Sequence, residues 1–356
     1  MGRTKQELIK VILDLKFIDV LRNSDFNFKS NPLCKSCISL YEFLTTNNNI
    51  EIILAENGIF ITKDELQAFI KDCNTPLPYF SNTTTNKYKF HPKFDFQHIK
   101  NPHLFCFLDF ENKELNNLEQ ETGYCFANTS DYMEKWYKIS IKTKYCESVS
   151  IDELFEWKEV EEYKLPTNNI LISAPYLTSW NKLQIKYNLP GLFSSLMNIN
   201  CKNNIVLISK YDKINSKNKS TLNLDELYNE ALEAIKHYEK TDLSIIVFNI
   251  EDFESFPVEK GKLIRCLHDR NIFTNYLHYD SKVEWDYFKF NNKEKRIKVN
   301  KESALTIKSL AEDSHFKSAI NYLEGYREII TYIGKEPFCN FIEHKGNWAD
   351  NKLIIQ

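Results

Sequence analysis

The chain has 356 residues, of which 42% are hydrophobic and 14% aromatic, and its formal net charge is −3. This composition is sufficient for two sizeable cores and excludes global disorder, while the slight acidic balance does not favour a general polyanion-binding protein. The nine cysteines lie without the spacing of a disulfide framework, which predicts reduced thiols.

The apolar segments of the chain lead to an expectation for its compartment. The N-terminus has no apolar segment of the secretory type. No window approaches the stretch of about eighteen apolar residues that a spanning helix needs. We therefore expect no membrane span and a cytoplasmic protein. The richness in Asn, Lys and Ile is typical of a low-GC bacterial genome.

The first half of the chain contains alternating helix and strand patterns. Apolar spacing and a capping box predict a helix over residues 4–19, and two short strands at 51–54 and 58–61 flank a hairpin turn. A helix over 63–73 follows. A buried strand over 104–110 precedes a helix over 113–121. Asp109 at that strand end is either an ordinary acidic residue or a metal ligand of a nuclease-like site, and we expect no metal because a second carboxylate-bearing strand is missing.

A polar, turn-rich segment at 164–169 predicts the domain boundary. It separates an N-terminal α/β domain of unknown role, residues 1–165, from a second domain, residues 166–356. Near-continuous apolar runs at 170–173, 205–209, 245–248 and 263–277 predict neighbouring central strands of one mixed sheet with helices on both faces. The predicted fold class is therefore α/β.

A polar cluster interrupts the last of these apolar runs. On a strand, His268 and Arg270 lie on one face and Asp269 on the other. An imidazole can attack or shuttle a proton near neutral pH, and a planar guanidinium suits phosphate. The pair indicates phosphodiester chemistry or phosphate binding. Lys210 and Lys213, beside a basic loop at 215–220, are further candidates for phosphate contact unless that loop is simply solvated.

Two alternatives assign this cluster other roles. In the first, His268 is satisfied by backbone carbonyls and Arg270 is paired with Asp269 or Glu284, so that the cluster is structural. The second is a competing acid–base or metal cluster formed by nearby residues of the same segment: His278, Asp280 and Glu284.

The spacing His268-x-Arg270-x-x-x-x-Asn275 resembles the His-x-Lys-x-x-x-x-Asp motif of the phospholipase D superfamily. The spacing is kept, and two of the three residues are replaced by chemically similar ones: arginine stands for lysine and asparagine for aspartate. The variant His-Asp-Arg is similar to the phospholipase D-like C-terminal domain of MIT-domain proteins, a membrane-binding module. Upstream, the strand at 169–177 ends in Pro-Tyr, which resembles the opening strand of a phospholipase D half.

The resemblance implies roles for the motif residues. His268 would be the nucleophile that attacks phosphorus, and Arg270 would stabilise the phosphoryl oxygens. Asn275 would stand in the third catalytic position, where it cannot supply the charge of an acid. No metal or cofactor is implied. Because the motif occurs once, catalysis would need a second histidine from a symmetry mate in a homodimer.

The predicted function is that of a metal-independent phosphodiesterase or nuclease acting on nucleic acid, in a bacterial antiviral defence or toxin system. The alternative is a non-catalytic sensor that binds phosphate or nucleic acid through a degenerate site. In both cases Arg270, Lys210 and Lys213 would contact phosphate. The expected partners are nucleic acid or another phosphodiester ligand, and a second copy of the chain or a defence-system protein.

Overall fold

The computed structural model describes the chain in segments that contain two large sheets and their helices. The described residues are 7–14, 16–17, 39–40, 42–44, 47, 49–56, 59–60, 101–141, 143–146, 158–211, 222–249, 266–281, 285, 288–291, 296–299, 305–335 and 342–355. The predicted helix at 63–73 lies outside these residues, as do Lys213 and Glu284.

The first sheet is mostly parallel. Its strands in the described segments are β1 (Ile9–Asp14), β2 (Ile50–Glu56), β3 (Ile59–Phe60), β4 (Leu104–Phe107) and β5 (Phe126–Ala127). Their order is β3-β2-β1-β4-β5, and only β3 is antiparallel to its neighbour. The pairing of β2 with β3 confirms the predicted hairpin. Helices α1 (Asn112–Thr122), α2 (Tyr132–Ile139) and α3 (Lys158–Glu161) follow along the chain.

The helix predicted over residues 4–19 is wrong, because residues 9–14 form β1 at the centre of this sheet. Ile9 and Val11 belong to one buried apolar cluster, whereas Ile12 belongs to another. Both faces of β1 are therefore covered, as in a parallel sheet. A strand that is buried on both faces has an uninterrupted apolar run, which also satisfies the spacing of an amphipathic helix.

The remaining strands lie in residues 166–356, with one exception. They are β6 (Thr143–Cys146), β7 (Asn169–Ser173), β8 (Asn203–Tyr211), β9 (Thr241–Asn249), β10 (Arg270–Phe273), β11 (Leu277–Ser281), β12 (Phe288–Asn291), β13 (Arg296–Val299), β14 (Leu305–Ser309) and β15 (Ile342–Lys345). β12 and β13 form a separate two-stranded antiparallel sheet. The others form an eight-stranded sheet in the order β15-β9-β8-β7-β10-β11-β14-β6.

The centre of the eight-stranded sheet agrees with the prediction. β7, β8 and β9 are parallel, and β10 pairs with β7 in the antiparallel direction. The four predicted apolar runs are thus neighbours, and the α/β fold class is confirmed. Helix α4 (Lys182–Leu196) connects β7 to β8, and α5 (Leu224–Ile235) lies between β8 and β9. Every residue of β7 is buried, so both faces of the sheet are covered at its centre.

The predicted domain boundary at 165/166 does not separate the two sheets completely. β6 precedes the boundary but forms the edge of the eight-stranded sheet through its pairing with β14. Direct contacts also join the two halves. Arg327 of helix α6 (Asp313–Ile330) forms an ion pair with Glu7 at 2.6 Å. His103 Nδ1 lies 3.0 Å from the carbonyl oxygen of Asn275.

Two further expectations concern membranes and thiols. None of the helices in the described segments combines the length and the apolar character needed to cross a bilayer. Four cysteines of those segments are free and buried: Cys106, Cys125, Cys201 and Cys266. The state of the remaining cysteines stays a prediction.

Candidate functional site

The candidate site lies at the carboxyl edge of the parallel strands. The turn after β7 fixes the end of β8, because Lys210 N donates to Pro175 O at 3.1 Å and Thr178 Oγ1 donates to Lys210 O at 2.6 Å. β10 runs antiparallel to β7, so Arg270 at its start lies at this same edge. In open α/β sheets, ligands bind at the carboxyl ends of strands.

The local structure around His268 differs from the prediction. Cys266, Leu267 and His268 form a helical turn, and the strand begins only at Arg270. The strand expected over 263–277 is thus wrong at 266–268 and at 274–276, where the chain turns from β10 to β11, and strand alternation does not place His268 beside Arg270. The turn is instead fixed by hydrogen bonds, since Ser173 Oγ donates to Asp269 O at 2.9 Å and Tyr326 OH donates to Cys266 O at 2.8 Å. Apolar residues of a helical turn packed beside a sheet are hard to distinguish from a strand.

Two basic side chains lie against one aromatic ring, and a histidine contacts one of them. Lys210 Nζ lies 3.3 Å from His268 Nδ1 and 4.5 Å from the centroid of the Tyr176 ring. The guanidinium carbon of Arg270 lies 5.5 Å from the same centroid. We call Lys210, His268, Arg270 and Tyr176 the cationic site. The structure therefore brings together three of the predicted residues.

Lys210 is the buried member of the cationic site. It is 6% exposed, and no carboxylate in the described segments forms an ion pair with it. Its ammonium group contacts only an imidazole nitrogen and an aromatic face there. Because removing a charge from water is costly unless the charge is paired, a bound anion would compensate this lysine.

His268 is exposed and electrically neutral at neutral pH. Burial of part of its ring lowers its pKa below the usual value, and the neighbouring cations Lys210 and Arg270 lower it further, whereas Asp269 raises it. An ammonium group only donates hydrogen bonds, so Nδ1 accepts from Lys210 and the proton of the neutral ring is on Nε2. His268 thus offers an N–H donor beside the two cations.

Asn275 lies at the opposite end of the sheet from the cationic site. It is fully buried at the amino end of β7. Its side-chain oxygen accepts hydrogen bonds from Asn168 N at 3.0 Å, Asn169 N at 3.1 Å and Thr167 Oγ1. Its amide nitrogen donates to Pro102 O. The structure therefore does not bring Asn275 to His268 and Arg270, and its contacts are those of a structural residue.

Of the competing acid–base or metal cluster, only His278 and Asp280 lie within the described residues. His278 is buried, with Nε2 2.8 Å from Asn271 Oδ1, and Asp280 forms an ion pair with Lys308 at 3.0 Å. Asp109 forms an ion pair with Lys16 at 2.6 Å. No group of three or more His, Cys, Asp or Glu residues suited to a metal ion occurs within the described ranges.

Burial of His278 leads to a prediction about acid stability. Burial, with smaller effects of Lys308 and His315, lowers its pKa to about 3. The neutral form is therefore stabilised in the folded protein. That stability is present above the ordinary histidine pKa and is lost as pH falls from about 6.5 towards 3, at about 1.4 kcal/mol per pH unit. We expect His278→Gln to flatten the pH dependence of the urea midpoint between pH 6.5 and pH 5. An unchanged slope would contradict this account.

One cavity in the described segments lies away from the cationic site. Its volume is about 240 Å³, and its lining includes Trp136 and the carboxylates Glu42, Glu312 and Asp313. None of the four residues of the cationic site lines it. Negative charge disfavours phosphate, so this cavity does not fit the predicted ligand.

Sequence reasoning missed two residues of this region. Tyr176 follows β7 as part of the Pro-Tyr pair, so its position at the carboxyl edge was a usable signal. Tyr322, whose hydroxyl donates to Asp269 Oδ2 at 2.6 Å, lies in α6, where its spacing indicates only an apolar helix face.

Comparison with known proteins adds no family assignment. No protein-family model matches the chain, and no curated protein matches it significantly. The resemblance to the phospholipase D superfamily therefore rests on the motif residues and the strand order.

Proposed function

We propose that the cationic site binds a phosphate group of a phosphodiester ligand, with single-stranded nucleic acid as the ligand class. Lys210 carries the proposal, because the residue is buried and its ammonium group has no carboxylate partner in the described segments. An anion that reaches it from the strand edge would supply the missing charge.

The chemistry of the three donors supports phosphate over other anions. Lys210 provides an ammonium group, Arg270 a planar fork, and His268 the Nε2–H of a neutral imidazole. Charge-assisted donors of different geometry can contact several oxygens of one phosphate, and arginine binds two of them at once. The slightly acidic chain as a whole agrees with a local site better than with an extended polyanion-binding surface.

The tautomer of His268 favours binding over catalysis. A histidine nucleophile needs a free nitrogen lone pair directed at phosphorus. In the cationic site the lone pair of Nδ1 accepts from Lys210 and Nε2 is protonated. A non-catalytic phosphate-binding or nucleic-acid-sensing role is therefore our first proposal for this half of the chain.

The binding proposal is tested with a fluorescein-labelled oligodeoxythymidine and fluorescence anisotropy. We expect Arg270→Ala to weaken binding at least about ten-fold, because a charge-assisted contact to phosphate contributes about 1.5–3 kcal/mol. The control is Lys186→Ala. Lys186 is exposed on α4 and forms no ion pair within the described segments. Equal affinity of the wild-type protein and Arg270→Ala would contradict the proposal.

A metal-independent phosphodiesterase is the second candidate, and the neutral state of His268 favours it. A neutral imidazole at neutral pH is the form that attacks phosphorus once its tautomer exchanges. If this candidate is correct, the protein hydrolyses bis(p-nitrophenyl) phosphate. The rate should be the same in the presence of EDTA, and the activity should be lost in His268→Ala. If the wild-type protein hydrolyses nothing above background, only the binding role stands.

A further inference from the structure

Asp269 is an acidic residue placed directly between His268 and Arg270 in the chain. Its carboxylate is close enough to raise the pKa of His268, although burial and the neighbouring cations have larger opposite effects. A carboxylate in this position would compete with a bound phosphate if it turned towards the cations. The orientation of Asp269 therefore matters for the function proposed above.

The structure holds this carboxylate on a residue of another element. Tyr322 OH donates to Asp269 Oδ2 at 2.6 Å, the length of a strong charge-assisted hydrogen bond. No ion pair of Asp269 with Lys210 or Arg270 is present. The backbone of Asp269 is held separately, since its carbonyl accepts from Ser173 Oγ at 2.9 Å.

The Tyr322 ring has its own support within the core. Its centroid lies 6.1 Å from that of Phe273 and 6.0 Å from that of His278. One turn further along α6, Tyr326 OH donates to Cys266 O at 2.8 Å. Two tyrosine hydroxyls of the helix thus donate to the turn before β10, and that of Tyr322 donates to the Asp269 carboxylate.

We propose that Tyr322 is a positioning residue, which holds the Asp269 carboxylate away from Lys210 and Arg270 and so keeps the cationic site open to phosphate. The inference rests on the proposed function of that site. Within the described segments the Tyr322 hydroxyl contacts Asp269, and its effect on the cationic site is exerted through that carboxylate. Loss of the hydroxyl would release the carboxylate to pair with a neighbouring cation.

The test is a double-mutant cycle read as affinity for labelled oligodeoxythymidine. Tyr322→Phe removes the hydroxyl and keeps the ring, and we expect affinity to fall about five-fold, the size of one exposed ion pair. Asp269→Asn removes the competing charge, so the same Tyr322→Phe change should have no effect in that background.

The outcomes separate a positioning role from a structural one. If Tyr322→Phe weakens binding equally with and without Asp269→Asn, the tyrosine supports the fold of the site and the inference is overturned. An unchanged affinity in both backgrounds also overturns it. If wild type and Arg270→Ala bind the oligonucleotide equally, the proposed function fails first and the inference fails with it. Loss of the Tyr322→Phe effect only in the Asp269→Asn background supports it.

Discussion

Replacement of Lys210 by methionine should stabilise the ligand-free protein while it abolishes binding. Lys210 is 6% exposed as a residue, and methionine keeps the apolar stem of its side chain while it removes an ammonium group that lacks a carboxylate partner among the described residues. Replacing such a buried charge by an apolar group of similar volume raises the free energy of unfolding by about 1–4 kcal/mol. Affinity for oligodeoxythymidine should fall at least about ten-fold, because the contact with phosphate is charge-assisted.

This opposite change in stability and affinity distinguishes a binding residue from a structural one. Urea unfolding gives the stability, and anisotropy gives the affinity. Lys186→Met is the matched control in α4, and neither quantity should change there by more than the small effects typical of surface substitutions. A marked loss of stability in Lys210→Met would mean that the ammonium group is satisfied within the fold, contrary to our account.

Asn275→Ala should reduce the free energy of unfolding by about 3–5 kcal/mol, since it leaves several buried groups without partners. The lost acceptor serves Asn168 N, Asn169 N and Thr167 Oγ1, and the lost donor serves Pro102 O. Asn275→Asp, the residue of the related motif, should also destabilise the fold because a carboxylate cannot donate to Pro102 O.

The control for Asn275 is Asn117→Ala on the exposed face of α1. It should change stability by less than about 0.5 kcal/mol. The folded fraction of Asn275→Ala should bind oligodeoxythymidine as the wild-type protein does, because the residue lies at the opposite sheet end from the cationic site. A stable variant that has lost only its binding would instead support the third motif position as a functional one.

The sequence was sufficient to predict the centre of the larger sheet and much of the candidate site. The apolar runs of β7, β8 and β9 are buried on both faces, which leaves a continuous signal in the sequence. Lys210 was identifiable as a basic residue beside the basic loop at 215–220, and Arg270 from its position two residues after His268. Their convergence follows from the antiparallel pairing of β10 with β7.

Other features depend on tertiary contacts that leave no local pattern. The apolar run of β1 fits both a strand and a helix, and only its two parallel neighbours decide between them. The spacing from His268 to Asn275 suggested one shared site. However, β10 lies between the two residues in the chain, so they are at opposite ends of the sheet. The bond from Tyr322 to Asp269 joins residues far apart in the chain, so no spacing predicts it.

The most direct test of the cationic site is the melting temperature in sodium phosphate compared with sodium chloride of equal ionic strength. A ligand that binds only the folded state stabilises it, whereas matched salt removes general screening effects. Because phosphate also stabilises folded proteins in general, we predict that it raises the melting temperature of the wild-type protein more than that of Lys210→Met. Equal shifts in both proteins would show that phosphate does not bind at Lys210 and would contradict the account.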